Sequence, residues 1–197
     1  MAKVYLTTPL TEEQVRQIRS GDECYLTGTI YTARDAAHKR MVDDLAAGRA
    51  LPFDPQGAVI YYVGPTPPKP GQALGSAGPT TSYRMDKFTP TMLQQGVKAV
   101  IGKGYRGDEV KAAFVQEGAL YFASTGGAGA LLAKAVTEAT VVAYEDLGAE
   151  AVRRLTVKEL PVICIHDSVG GDQYYTGQSQ WVAPDAMVMP KKPEAGE

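Results

Sequence analysis

A chain of 197 residues and 21.0 kDa, 44% hydrophobic and 21% charged, can bury a core without a metal or disulfide staple. Its net charge of -2, with no basic run, argues against nucleic acid as the main partner. No apolar stretch approaches the ~20 residues of a membrane span, the first residues lack a signal-peptide core, and Cys24 and Cys164 read as buried thiols of a reducing, cytoplasmic compartment.

Taken in order, residues 3–8 alternate as a short strand. Thr11 with Gln14 three positions on forms a capping box, so a helix carrying Val15 and Ile18 starts there and ends at Gly21-Asp22. Residues 23–31 are aromatic and β-branched and predict a strand. From Thr32 to Ala47 the stripe Ala33, Ala37, Met41 and Leu45 predicts a helix, with Arg34 and His38 on a neighbouring stripe near its start. A cation at a helix N-terminus opposes the dipole, so something negative should sit above Arg34; Asp35 or another nearby carboxylate is the plainer explanation, and a lone histidine is more often structural than catalytic. Residues 58–63 predict a buried strand, followed by a stiff Pro/Gly loop from Gly64 to Gly71.

Gly78-Pro79-Thr80-Thr81-Ser82-Tyr83-Arg84-Met85-Asp86 concentrates hydroxyls, a cation and a carboxylate with no apolar run. It precedes a helical pattern beginning near Met85, or only at Pro90. The stretch is then either an anion site at a helix start or a plain hydroxyl cap. Strands are predicted at 97–101, 119–123, 136–144 and 162–166, with helices at 108–117 and around Leu131. Residues 151–157 fit helix or strand equally, Gly170-Gly171-Asp172 is a turn, and the last fifteen or so residues look like a loose tail. Two successive strand, glycine turn, helix units imply an α/β fold with parallel strands and a site where the glycine turns converge. Gly102-Lys103-Gly104-Tyr105-Arg106-Gly107 matches G-x-G-x-x-G in form, but its bulky residues and the lack of an acidic partner after the next strand count against a dinucleotide.

Two histidines and two cysteines, with no Cys-x-x-Cys, leave the chain without a usual zinc or iron–sulfur ligand set. Arg34, Arg84 and Lys103 on helix starts or glycine turns, with the hydroxyls of Thr80, Thr81 and Ser82, suit a small di- or tricarboxylate.

These residues carry a resemblance. Leu26 to His38, Gly78 to Asp86 and Ile101 to Gly104, extended by Tyr144 to Ala151 and Gly170 to Asp172, resemble the C-terminal or β-subunit part of class I iron–sulfur fumarate hydratases and L-tartrate dehydratases. The resemblance implies a swivelling β/β/α domain with a mixed central sheet and flanking helices, over about residues 1–182, with 183–197 as the tail. It implies a hydro-lyase converting fumarate and L-malate, with tartrate as the alternative substrate. A [4Fe-4S] cluster would be held by an α partner in a hetero-oligomer and not by this chain. Arg34, Arg84 and Lys103 would hold the substrate carboxylates, Thr80, Thr81 and Ser82 would line the site, and Thr80 would accept the proton. His38 is the more natural base on pKa grounds, and both stay open. Tyr83 departs from the small residue of many relatives, and the chain corresponds only to the β half. A stand-alone organic-acid binder or a nucleotide-binding α/β protein are the other readings.

Overall fold

The computed structural model describes residues 3–181; the expected tail at 183–197 lies outside them. Seven strands, β1 (Lys3–Thr8), β2 (Glu23–Thr32), β3 (Val59–Tyr61), β4 (Ala99–Gly102), β5 (Leu120–Ala123), β6 (Val136–Ala143) and β7 (Val152–His166), form one mixed sheet in the order β1-β2-β3-β4-β5-β7-β6. Strands β1 to β5 run parallel, while β7 is antiparallel to β5, β6 and β2. The β2–β7 pairing joins the two ends of the run β2-β3-β4-β5-β7, so these five strands close like a barrel. The protein is thus α/β, as expected, with more closure than an open sheet.

Among the described residues six α-helices accompany the sheet: α1 (Glu12–Gln17), α2 (Asp35–Ala46), α3 (Thr89–Gln94), α4 (Asp108–Gln116), α5 (Gly129–Ala133) and α6 (Gln173–Ser179). The capping box starts α1 as expected, Thr11 accepting from Gln14 N while the Gln14 side chain accepts from Thr11 N. Central strands are apolar on both faces, and alternation sends successive residues to two different cores. Val59, Tyr61, Ala99, Ile101, Leu120 and Phe122 join Leu26, Ile30, Leu155 and Leu160 in one cluster. Ile60, Tyr62, Val100 and Tyr121 join Met41 of α2, Met92 and Leu93 of α3 and Phe114 of α4 in the other. Each fully buried side chain of this size contributes roughly 1.5–3 kcal/mol relative to exposure, so the second cluster pins α2, α3 and α4 against the strand ends that carry the polar residues.

Three expectations are corrected. Residues 151–157 and 162–166 belong to one fifteen-residue strand, β7, which passes through Glu159 at positive φ and Pro161. Strand β6 is paired antiparallel to β7, so the parallel pattern stops at β5. The turn at Gly170 to Asp172 leads into α6, which had no predicted counterpart; Asp172 caps it by accepting from Tyr174 N and Tyr175 N.

Candidate active site

The hydroxyl-rich stretch is stitched across the ends of β3 and β4. Thr80 N donates to the Tyr62 carbonyl at 2.8 Å, Ser82 N donates to the Lys103 carbonyl at 2.9 Å, and Thr81 pairs with Lys103 in parallel bridge geometry. The glycine at 102 is required here: a Cβ would lie 1.9 Å from Ser82 Oγ. Residues Ser82–Met85 form a four-residue 3-10 turn, anchored by fully buried Met85, and α3 begins separately at Thr89 with Pro90 in its first turn. The expected hydroxyl cap is not formed: Thr81 stands at the N-cap position of this 3-10 turn but makes no side-chain cap hydrogen bond, and the hydroxyls are held by the ends of β3 and β4.

Three of the predicted residues, Arg34, Thr80 and Arg84, meet here, the two arginines through Asp35. Arg84 Nη2 donates to Thr80 Oγ1, and Arg84 Nε lies 3.5 Å from Asp35 Oδ1. Arg34 Nη2 lies 3.8 Å from the other oxygen of Asp35 and 3.4 Å from Glu150 Oε1. Arg34 stands at the N-cap of α2 without capping it; instead Glu150 Oε2 accepts from Ala36 N at 2.9 Å. The negative group expected above Arg34 is therefore supplied within the chain, by Asp35 and Glu150. Gly64 lets Arg34 lie flat, since a Cβ there would be 3.1 Å from Nη1. Lys103 is exposed, and its side chain reaches over the next glycine turn, Nζ standing 3.9 Å from where a Cβ on Gly126 would lie. The two glycine turns do converge, as expected.

Thr80 and Thr81 are half-buried and Arg84 is exposed. Ser82 and His38 are placed differently from their expected roles in contacting substrate. Ser82 is fully buried, its Oγ engaged by Lys103 N and the Tyr121 hydroxyl, both at 3.0 Å. It holds the turn. His38 is also fully buried, its Nδ1–H donating to the Arg34 carbonyl at 2.9 Å and its ring between Tyr62 and Phe88. Burial pushes its pKa down to about 4. It supports the α2 start from beneath and exposes no atom to a ligand.

Arg106, set aside in the sequence only as a bulky obstacle to a nucleotide, turns inward. Its Nε donates to Asp86 at 2.6 Å, its Nη2 to Thr89 Oγ1 at 2.6 Å, and its guanidinium lies within 5.0–5.6 Å of the ring centroids of Tyr62, Phe114 and Tyr121. Asp86 also accepts from Gly107 N. An aspartate and an arginine beside two glycine turns were the available signal. Glu150 and its double contact lay 114 residues from Ala36 in sequence, beyond any local pattern.

Four depressions of about 200–530 Å³ lie elsewhere, and none is lined by Arg34, Thr80, Arg84 or Lys103. Arg84 and Lys103 are exposed, and Arg34 keeps 25% of its side chain exposed. Among the described residues no group of three or more His, Cys, Asp or Glu side chains is arranged to hold a metal ion, and Cys24 and Cys164 are buried, free thiols. Among those residues, too, no helix is long and apolar enough to cross a membrane.

Comparison with known proteins shows what the chain is similar to. The chain is 37% identical over 176 residues to a putative L(+)-tartrate dehydratase subunit beta of Methanocaldococcus jannaschii, covering 86% of this chain and 90% of that one. It is 37% identical over 175 residues to the L(+)-tartrate dehydratase subunit beta of Escherichia coli, covering 86% of each. Against fumarate hydratase 2 of Leishmania major the identity is 35% over 176 residues, 87% of this chain but 31% of the relative, so the chain spans about a third of that protein. The model of the fumarase C-terminus matches residues 1–177. The chain belongs to the fumarase C-terminus family.

Proposed function

We propose that this chain is the β-type subunit of a hydro-lyase that adds water to fumarate to give L-malate and runs in reverse. The observation that carries the proposal is the meeting of Arg84 with Thr80, and of Arg84 with Arg34 through Asp35, in a family member. On this reading Arg34, Arg84 and Lys103 orient the substrate dianion through charge-assisted hydrogen bonds. Thr80 holds or receives the proton. Its neutral hydroxyl is a weak base, and the cationic Arg84 donor on Oγ1 favours the deprotonated form. Thr81 lines the same edge, while Ser82 and His38 keep it in place from below.

The exposure of Arg84 and Lys103 supports a partner that closes the site. That partner would be an α subunit holding a [4Fe-4S] cluster, whose contribution when bound is Lewis-acid chemistry at the substrate's oxygens. The described residues of this chain do not fit as the cluster's ligands. The swivelling β/β/α architecture implied by the resemblance would bring the cations over that partner. We place the assembly in the cytoplasm, where the two buried thiols stay reduced.

A second reading, an L-tartrate dehydratase β subunit, is favoured by one observation: the chain covers 86–90% of the tartrate subunits but only 31% of the fumarate hydratase. The test is co-purification of the chain with its partner, followed by assay with malate and with tartrate. Dehydration of malate by the pair, and none by this chain alone, is expected. Turnover by the pure chain would overturn the need for a partner, and turnover of tartrate alone would establish the second reading.

A further inference from the structure

We propose that Asp35 is a positioning residue that sets the spacing of Arg34 and Arg84, and with it the length of dicarboxylate the site accepts. The inference rests on the carboxylate-binding reading above. Asp35 gives one oxygen to each arginine: Oδ2 lies 3.8 Å from Arg34 Nη2 and Oδ1 lies 3.5 Å from Arg84 Nε. Two guanidiniums drawn to one carboxylate repel each other less and hold a common separation. The distances exceed those of hydrogen bonds, so the carboxylate neutralises both cations without engaging their N–H donors. Those donors stay available to a ligand.

The plainer role for Asp35 is a charge on the helix dipole, since it is the first residue of α2. Two observations exceed that role. The side chain accepts no hydrogen bond from any described residue, and Oδ2 is buried without a hydrogen-bond partner. The cap at this helix start is already supplied by Glu150, which accepts from Ala36 N. Asp35 is thus a part-buried carboxylate whose close polar contacts are the two arginines. Arg34 has Glu150 as a second partner and Arg84 has Thr80, so losing Asp35 leaves each arginine tethered but no longer tied to the other.

The experiment uses the full chain assembled with its partner. Binding of malonate, succinate and glutarate, with three, four and five carbons, is measured by calorimetry, alongside turnover of malate. Asp35→Asn keeps the shape and removes the charge. We expect succinate to bind about tenfold or more weakly, the preference among the three lengths to flatten, and KM to rise with kcat within about threefold. Asp35→Glu keeps the charge on a longer arm, and is expected to restore affinity while changing the preferred length. Wild-type affinity and an unchanged length preference in Asp35→Asn would overturn the proposal. If that variant does not fold, an unchanged length preference in Asp35→Glu overturns it instead. Arg84→Ala in the same series separates the two levels. Wild-type succinate binding by Arg84→Ala overturns the carboxylate reading itself. Lost binding there, with Asp35→Asn unaltered, overturns only the role of Asp35.

Discussion

Arg84 and Arg106 lie 22 positions apart on turns that touch, yet they do opposite work. Arg106 is sealed in, its side chain fully buried, donating to Asp86 and Thr89 at 2.6 Å under three aromatic rings. Arg84 keeps 38% of its side chain exposed and meets Asp35 only at 3.5 Å. A guanidinium carries five donors in a fixed fork. Where close partners and rings hold that fork, as at Arg106, the residue is part of the fold. Where one hydroxyl and a distant carboxylate are its partners, as at Arg84, most donors remain for something that arrives. The same chemistry becomes scaffold or site according to whether the guanidinium is sealed in, as at Arg106, where even Nη1 is buried without a hydrogen-bond partner, or left at the surface, as at Arg84.

Arg84→Ala should break this contrast most severely on the functional side. We expect kcat/KM of the assembled enzyme to fall by about 100- to 1,000-fold. Stability of the chain should change by no more than about 0.5 kcal/mol, as for an exposed position. A loss under about tenfold would put Arg84 with the scaffold.

Arg106→Ala should give the reverse pattern. It leaves Asp86 with the Gly107 N–H but without its ion-pair partner and removes a packed guanidinium, at a cost of about 3 kcal/mol, the low end for a buried pair because Asp86 keeps 22% side-chain exposure. In a domain of this size that lowers Tm by roughly 6–12 °C. An unchanged Tm with lost activity would move Arg106 into the site.

The smallest effect sharpens the scaffold side. His38 and His166 are both buried, and burial pushes each pKa down to about 4. Both are neutral when folded and take up protons on unfolding below their ordinary value of about 6.5. The unfolded state therefore binds more protons, so stability is full above about pH 6.5 and declines as pH falls toward 4. Urea midpoints measured from about pH 7.5 to 5 should fall accordingly. His38→Phe should remove about half of that slope, leaving kcat within about threefold; a kcat loss of orders of magnitude would restore His38 as the proton acceptor.

Local patterns in the sequence revealed most of this fold. The capping box at Thr11 and the apolar stripe of α2 predicted helices that started where expected, because their causes are short-range, although α1 stops at Gln17, short of the expected end at Gly21-Asp22. Strand β7 was obscured by Glu159 and Pro161, residues that ordinarily interrupt strands and are tolerated here beside the register shift between Leu26 and Gly28 of β2. Helix α6 contains two tyrosines and a glycine, weak helix formers, and depends on the Asp172 cap. In the candidate site the cation types and the Thr80 hydroxyl were legible. Their orientation was not: nothing local distinguishes Arg84 from Arg106, or tells that Ser82 faces inward. Those outcomes depend on Tyr121, Thr89 and Asp86 arriving from other elements.

Closure of the sheet by β2 against β7 also sets an order of events. The pairing joins Thr32 to Arg153 and Glu23 to Ile163, segments separated by well over a hundred residues. Such distant contacts carry a loop-closure cost before they return any stability, and folds rich in them form slowly. The Arg34–Glu150 contact spans nearly the same interval. During synthesis the parallel strands β1 to β5, complete by Ala123, can form early, but the arginine at the start of α2 must wait for the chain to reach Glu150.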